Sequence, residues 1–522
     1  LAIGVIPQAE RRPLQGLTQV RTFAMPTRTP LPILRPDHLP HDEALLMTTY
    51  PNIVAGQPVL SATTFESRNP ATGELLGLVP QSSPEQVAQA VAAAQAAQPA
   101  WAALPDAERQ AALLRVADIL HVQQEHLAGW ITREQGKPLG GVGPDQVPGA
   151  RFEAYACEVW TRVPASLALP VEVAFEDDTR RDEVHRQPYG VVAAIAPWNW
   201  PLMIAIWQII PALRAGNTVV IKPSEHTSIG TLEMVRLISA ALPPGVLNTV
   251  TGAGDVGATL IAQPAVRKIL FTGSTATGRR IAALAGERLS ACTLELGGND
   301  AAIVLPDADP AEIAMGLFWG AFLNMGQTCA AIKRLYVPDA LHDAVVGALQ
   351  GLAQAMPMGD GLQPGIAMGP IQNRMQFDKV VSLVESAKAG GARIVCGGEA
   401  PGGPGYFFPI TLVTDIDDGA PLVDQEQFGP VLPIVRYRDL DDAVARANRL
   451  DVGLGASVWG RDADQARAVA LRLQAGTVWI NQHGAVHPMV PFGGLKGSGL
   501  GVEFGLEGLK SVTQTRVISV KK

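Results

Sequence analysis

Residues 187–213 read QPYGVVAAIAPWNWPLMIAIWQIIPAL, which is either one membrane span or a strand, a turn and a helix. It carries no charged side chain and is long enough to cross a bilayer. Pro188, Pro197, Pro201 and Pro211 break it, and Asn199 and Gln208 interrupt it. A proline inside a helix removes a backbone hydrogen bond and clashes with the preceding turn. A buried strand over 191–196, a turn through PWNWP and a buried helix over 202–213 fit better than a membrane span.

Working outward, the same strand-then-helix alternation continues. Short apolar strands are expected at 218–221, 248–250, 268–271 and 293–295, with helices at 228–241, 256–262 and 278–285. Repeated βα units imply a doubly wound parallel sheet covered on both faces. Upstream, residues 82–135 have a helical pattern. Ser83-Pro84-Glu85-Gln86 forms a helix start, and Asp106 is read as a second cap. Downstream, from about 301 to 490, a second α/β region holds strand-like AAIVL, helix-like PAEIAMGLFWGAFL, strand-like RLYV and GTVWIN. The tail SVTQTRVISVKK alternates like an edge strand, a natural oligomer contact. Residues 1–46 are rich in proline and arginine with no apolar period, and read as a poorly ordered extension, with Met47 opening a more ordinary sequence.

Bulk composition narrows the function. With 522 residues, 47% of them apolar, the chain can build two or three domains. A net charge of -8 and no polybasic run give no footprint for nucleic acid. Cys157, Cys292, Cys329 and Cys396 are widely spaced, with no C-x-x-C and no nearby histidine pair. That argues against a disulfide framework or a metal site and suits a reducing cytoplasm.

Three residues carry candidate chemistry. Cys329 follows Gly-Gln-Thr amid small residues that let a carbonyl approach, so it is either a nucleophile or an inert buried thiol. Glu295 ends an apolar strand before Gly297-Gly298, where α/β sheets place their sites; it either activates water or serves as a cap or ion-pair partner. Asn199, an amide in a very apolar turn, either donates to a developing oxyanion or holds the turn. GAGDVG at 252–257 formally fits a dinucleotide fingerprint, but no acidic residue follows before Glu287. FTGSTATG at 271–278 follows a strand and opens a helix, where backbone amides can hold a pyrophosphate.

Together these blocks resemble the aldehyde dehydrogenase superfamily, of the hydrolytic type that does not acylate coenzyme A. PWNWPL, IKPSEHT, FTGSTATG, LELGGND, GQTC, EQFGPV and PFGGLKGSG occur in the family's order, and the resemblance runs from about Thr48 to the C-terminus. It implies that Cys329 attacks the aldehyde to give a thiohemiacetal and then a thioester. Asn199 would hold the oxyanion, Glu295 would activate the hydrolytic water, and Glu503 would relay protons. It implies NAD as hydride acceptor, with NADP possible. The cofactor would be held by Pro197, Trp198, Lys222, Ser224, Glu225, Gly257, Phe271, Gly273, Ser274, Leu296, Glu426 and Phe428. Trp200, Met203, Ile204, Trp207, Met325, Thr328 and His483 would contact the substrate, with an exposed loop position the alternative for His483 and His487.

The resemblance further implies a cofactor domain from 47–165 and 187–297 and a catalytic domain over 298–500. An oligomerisation arm from 166–186 and 506–522 would build a homodimer or homotetramer. No metal, nucleic acid or membrane is expected. Three positions depart from the family's habit: Asn299 and Gln208 replace common lysines, and Ala276 replaces a common glutamate. The lysine missing at Gln208 is the one thought to partner Glu503. Two rivals stand beside this reading: a cofactor-free cysteine hydrolase, which needs a partnered histidine, and a non-catalytic binding protein on the same scaffold.

Overall fold

The computed structural model describes residues 48–141 and 148–522. The extension read at 1–46 lies outside them. Residues 187–213 form the expected strand, turn and helix: Val191–Ile195 is a strand and Pro201–Arg214 a helix. Among the described residues, no helix is long and apolar enough to cross a membrane.

Val191–Ile195 is central in a sheet whose order is Gly499–Leu500, Ala291–Glu295, Val266–Thr272, Val191–Ile195, Thr218–Lys222, Leu247–Thr249. All neighbours run parallel except the short edge strand Gly499–Leu500. Side chains alternate between two cores, as the two-residue period of a strand requires. Val192 and Ala194 pack under the helices Asp106–Val122, Ala150–Ser166 and Pro201–Arg214. Val191, Ala193 and Ile195 face Pro84–Ala103, Gly254–Ile261 and Thr275–Glu287. Burial on both faces explains why these strands read as unbroken apolar runs.

A second sheet has the order Arg393–Cys396, Thr411–Thr414, Val431–Tyr437, Ile332–Pro338, Asp300–Val304, Gly455–Trp459, Thr477–Ile480. Only Arg393–Cys396 is antiparallel to its neighbour. The chain passes from one sheet to the other through Leu296–Gly297–Gly298–Asn299. A Cβ on Gly298 would lie 2.6 Å from Asp300 Oδ1 and 3.1 Å from the Cys329 carbonyl, so only glycine lets the crossing approach the thiol loop. Thr513–Lys521 pairs antiparallel with Arg180–Pro188, which pairs with Glu172–Glu176.

Ser83 caps Pro84–Ala103 through a capping box with Gln86, as its sequence implies. Asp106 does not cap. It is the first residue of Asp106–Val122, and its carboxylate instead binds the buried Arg214, with Nη2 to Oδ2 at 2.7 Å. An unpaired buried guanidinium is costly, and this long-range demand outweighs the local capping geometry.

Candidate active site

Cys329 follows the helix Pro310–Phe322 and a tight turn, Leu323–Gly326. Asn324 (φ 53°, ψ 39°) and Met325 (φ 58°, ψ 31°) are both left-handed, a conformation non-glycine residues adopt at a cost. Side-chain bonds hold the turn. Asn324 Nδ2 donates to the Asn199 carbonyl at 2.9 Å, Gln327 Nε2 to the Asn324 carbonyl at 3.0 Å, and the Gln372 N–H to Gln327 Oε1 at 2.9 Å. Asn199 Nδ2 donates to the Gln327 carbonyl at 2.9 Å. The turn leaving the first sheet is thereby stitched to the thiol loop of the second.

Burial pushes the Cys329 thiol up to about 12, with Asp300, Glu426 and Glu295 adding to the rise. Lys333 opposes it. Its ammonium donates to the Thr328 carbonyl at 3.0 Å and to the Cys329 carbonyl, and lies 3.2 Å from Glu426. Lys333 is absent from the sequence-based set. Its signal is the pair Lys333-Arg334 inside the otherwise apolar, fully buried strand Ile332–Pro338.

Glu295 ends its strand with both carboxyl oxygens buried and unpartnered by protein. Burial raises its affinity for a proton well above the usual carboxylate range, and the charge of Glu503 raises it further. Glu503 is locked by backbone bonds to Phe492 at 2.8 and 3.0 Å. Burial pushes its carboxyl up to about 7, against the pull of Lys268. Gln208 Nε2 donates to Thr272 Oγ1 at 3.1 Å and to the Ile195 carbonyl at 3.3 Å. Thr272 stands beside Glu295 in the sheet register. The cation whose charge acts on Glu503 is Lys268, whose ammonium donates to Thr293 Oγ1 at 2.7 Å.

An apolar pocket opens onto the thiol. Trp200, Met203, Ile204, Trp207 and Thr328 line it together with Cys329, as expected. Phe152, Trp160, Leu323, Ala330, Phe492 and Gly484–Ala485–Val486 complete the wall. Trp207 packs at 4.9 Å from Trp160 and 4.7 Å from Phe504 (ring centroids), fixing one side of it. Two expected substrate contacts do not reach the pocket. The left-handed backbone at Met325 sends its side chain into the core of the second sheet. His483 is neither in the pocket nor exposed: its ring is buried, with Nδ1 2.9 Å from Ser457 Oγ and Nε2 3.5 Å from Asp300. The exposed-loop reading holds for His487. Phe152 and Trp160 carry no local signal, because they come from a helix far away in sequence.

The residues expected to hold a cofactor gather at the carboxyl ends of the first sheet, the crevice where open α/β sheets bind ligands. The Lys222 ammonium donates to the Pro223 carbonyl at 3.0 Å and lies 3.6 Å from the half-exposed carboxylate of Glu225. Gly257 lies against the Lys222 stem, where its missing side chain leaves room. Ser224 Oγ accepts from the His226 N–H at 3.3 Å. Gly273 sits over the Phe271 ring, where a Cβ would come within 2.5 Å of it. Ser274 caps Thr275–Glu287, and Leu296 packs where Gly278 leaves space. Trp198, next to Pro197, meets Phe428 edge-on at 5.4 Å, and Phe428 is left-handed (φ 50°). Glu426 accepts from the Gly298 N–H at 3.2 Å. These groups fit a dinucleotide: backbone amides at a helix start for phosphates, a carboxylate for a ribose and aromatic faces for a flat ring. Among the described residues, no His, Cys, Asp and Glu group could hold a metal.

Comparison with known proteins follows this geometry. The aldehyde dehydrogenase family profile matches residues 59–518. A phenylacetaldehyde dehydrogenase of Pseudomonas fluorescens is 40% identical over 90% of this chain and 95% of its own. The NAD+ complex of a Bacillus cereus aldehyde dehydrogenase superposes with a TM-score of 0.88 at 34% identity, covering 92% of this chain and 98% of that one. An NADP-dependent enzyme of E. coli superposes with a TM-score of 0.87 at 34% identity, covering 92% and 99%. A profile that spans most of the chain, and relatives matched over nearly their full length, place it: the chain belongs to the aldehyde dehydrogenase family.

Proposed function

We propose that this protein oxidises an apolar aldehyde, aromatic or aliphatic, to the carboxylic acid with a nicotinamide dinucleotide as hydride acceptor. The observation that carries the reading is Cys329 in the wall of an apolar pocket, with Asn199 bonded to the Gln327 carbonyl two residues before it and Glu295 near enough for its charge to raise the thiol's proton affinity. Once its thiol proton has passed to solvent, the Cys329 sulfur attacks the carbonyl carbon, forming a C–S bond, and the carbonyl oxygen takes the negative charge. An amide has two N–H groups. Asn199 commits one to Gln327, so the other is free for the oxyanion, beside the Cys329 backbone N–H. A bound nicotinamide would accept the hydride that leaves this carbon as the C=O bond re-forms, and the acyl group stays on the Cys329 sulfur as a thioester. Glu295 then takes a proton from the water that attacks the thioester, breaking the C–S bond and freeing the acid. A carboxyl with a raised proton affinity is a stronger base than an exposed one.

Cofactor choice rests on Glu225, whose carboxylate accepts from free ribose hydroxyls and repels a 2′-phosphate. NAD is therefore the preferred acceptor and NADP the poorer one. Substrate class rests on the pocket wall, which presents no charged side chain. The phenylacetaldehyde relative points the same way. The test is NADH formation with aryl, alkyl and carboxylate-bearing aldehydes. At least tenfold higher kcat/KM for the apolar ones is expected; preference for a semialdehyde overturns the substrate assignment.

We further assign 47–165 and 187–297 to the cofactor domain, 298–500 to the catalytic domain, and 166–186 with 506–522 to an oligomerisation arm. The arm's apolar side chains Val173, Phe175, Val517 and Val520 lie exposed, which supports a homodimer or homotetramer. Four free thiols fit a cytoplasmic setting.

A further inference from the structure

The site just described uses neither Lys137 nor Glu153, yet among the described residues these two side chains form the most buried pair of a lysine or arginine with a carboxylate. They are 1% and 0% exposed, with Lys137 Nζ 2.5 Å from Glu153 Oε2. Among the described residues, every other hydrogen bond of these two side chains goes to the turn and helix start behind Asn199. Lys137 Nζ donates to the Asn199 carbonyl at 3.2 Å and lies 3.5 Å from the centre of the Trp200 ring. Glu153 Oε1 accepts the N–H groups of Leu202 and Met203 at 2.9 and 3.2 Å.

We propose that the Lys137–Glu153 pair is a positioning device that sets the oxyanion donor Asn199 and the pocket residues Trp200 and Met203 against the thiol. The inference rests on the reading of Asn199 as oxyanion donor.

Local sequence explains why such a device is needed. Pro201 starts the helix Pro201–Arg214, but its cap residue Trp200 offers no side-chain bond to the orphan N–H groups. Glu153, from the separate helix Ala150–Ser166, accepts two of them, and a carboxylate also complements the positive end of the helix dipole. Without it the first turn has no fixed anchor. Lys137 closes the arrangement from the other side. It follows Gly136, which ends the helix Gln124–Gln135 in a left-handed turn (φ 94°), and its own N–H donates to Gln135 Oε1 at 3.0 Å. Its stem is therefore fixed before its ammonium reaches Asn199. The positioning continues to the nucleophile, because Trp200 Nε1 donates to Thr328 Oγ1 at 3.1 Å, one residue before Cys329.

Burying two charges is not an efficient way to stabilise a fold. Replacing a buried pair by apolar side chains of similar volume is often neutral, whereas breaking it by removing one partner is not. A pair kept for stability alone and a pair kept for positioning therefore respond differently to the same double replacement.

The experiment uses the full chain with NAD and phenylacetaldehyde as probe. It compares the single-turnover rate of NADH formation, KM for NAD and melting temperature in the wild type, K137M/E153L, K137Q/E153Q, N199A, and N199A combined with each pair. The apolar pair leaves the Leu202 and Met203 N–H groups without their acceptor, so it should melt several degrees below wild type yet keep KM for NAD. Its single-turnover rate should fall about tenfold to a hundredfold, part of the loss known for deleting an oxyanion donor. The amide pair, which still offers a donor and an acceptor, should recover several-fold of that loss. In the N199A background the same changes should cost less than about threefold, because the group they position is gone. A full rate in the apolar pair overturns the proposal, as does a loss of equal size with and without Asn199. If the apolar pair does not fold, the amide pair and its N199A combination decide by the same criteria. A wild-type rate for N199A alone overturns the oxyanion reading itself, a result separate from either pair's behaviour.

Discussion

Glu503 and Glu295 are two buried carboxyls that press on one another. Burial holds Glu503 at about 7, and its charge above that pH makes Glu295 harder to ionise. Deacylation needs Glu295 ionised, so its rate should fall as pH drops through the Glu295 transition. E503Q removes the opposing charge and lowers the proton affinity of Glu295. The acidic limb of the deacylation rate should therefore move to lower pH, read from the pH dependence of steady-state turnover. A shift to higher pH would show that Glu503 acts on Glu295 by another route. At the pocket, W207A removes a ring packed on Trp160 and Phe504. KM for aryl aldehydes should rise about tenfold, the value of a lost aromatic contact, with KM for NAD unchanged. Cys329, Glu295 and Asn199 stand out in the sequence as candidates because each sits in a short motif at a strand end or turn. Lys333 was not, because its relation to the thiol depends on the loop folding back over the strand. Met325 and His483 were misjudged because proximity in sequence does not give side-chain direction.

At the scale of elements, the strand and helix alternation from Val191 to Glu295 was legible because both faces of these strands are buried and their termini are marked by proline and glycine. Asp106 shows where local rules stop. Its position after Leu-Pro matches a cap, but Arg214, from a helix much later in the chain, takes its carboxylate. D106A should leave a buried guanidinium with, among the described residues, the Ala165 carbonyl as its one remaining hydrogen-bond partner and destabilise the chain by about 1–2 kcal/mol, since one side of the pair is solvent-exposed. Chemical denaturation measures this, and an unchanged midpoint would mean that water replaces the carboxylate fully.

The tail's period of two made Thr513–Lys521 legible as a strand. Its partner was less so, because pairing with Arg180–Pro188 joins the chain's end to its middle, and no local pattern fixes that register. The resulting three-stranded sheet leaves Val517 and Val520 in solvent. If the proposed arm joins copies of the chain, V517E/V520E should reduce the mass seen by light scattering toward that of one chain, at unchanged secondary structure; an unaltered mass would contradict a contact through this arm.

The covalent route through Cys329 is tested most directly by trapping it. E295Q, mixed with NAD and phenylacetaldehyde, should release one NADH per active subunit and then stall. Mass spectrometry should find the phenylacetyl group on the peptide that holds Cys329, and C329A should show neither the burst nor the adduct. Steady turnover by E295Q, or a burst of NADH with no acyl group on Cys329, would contradict the account.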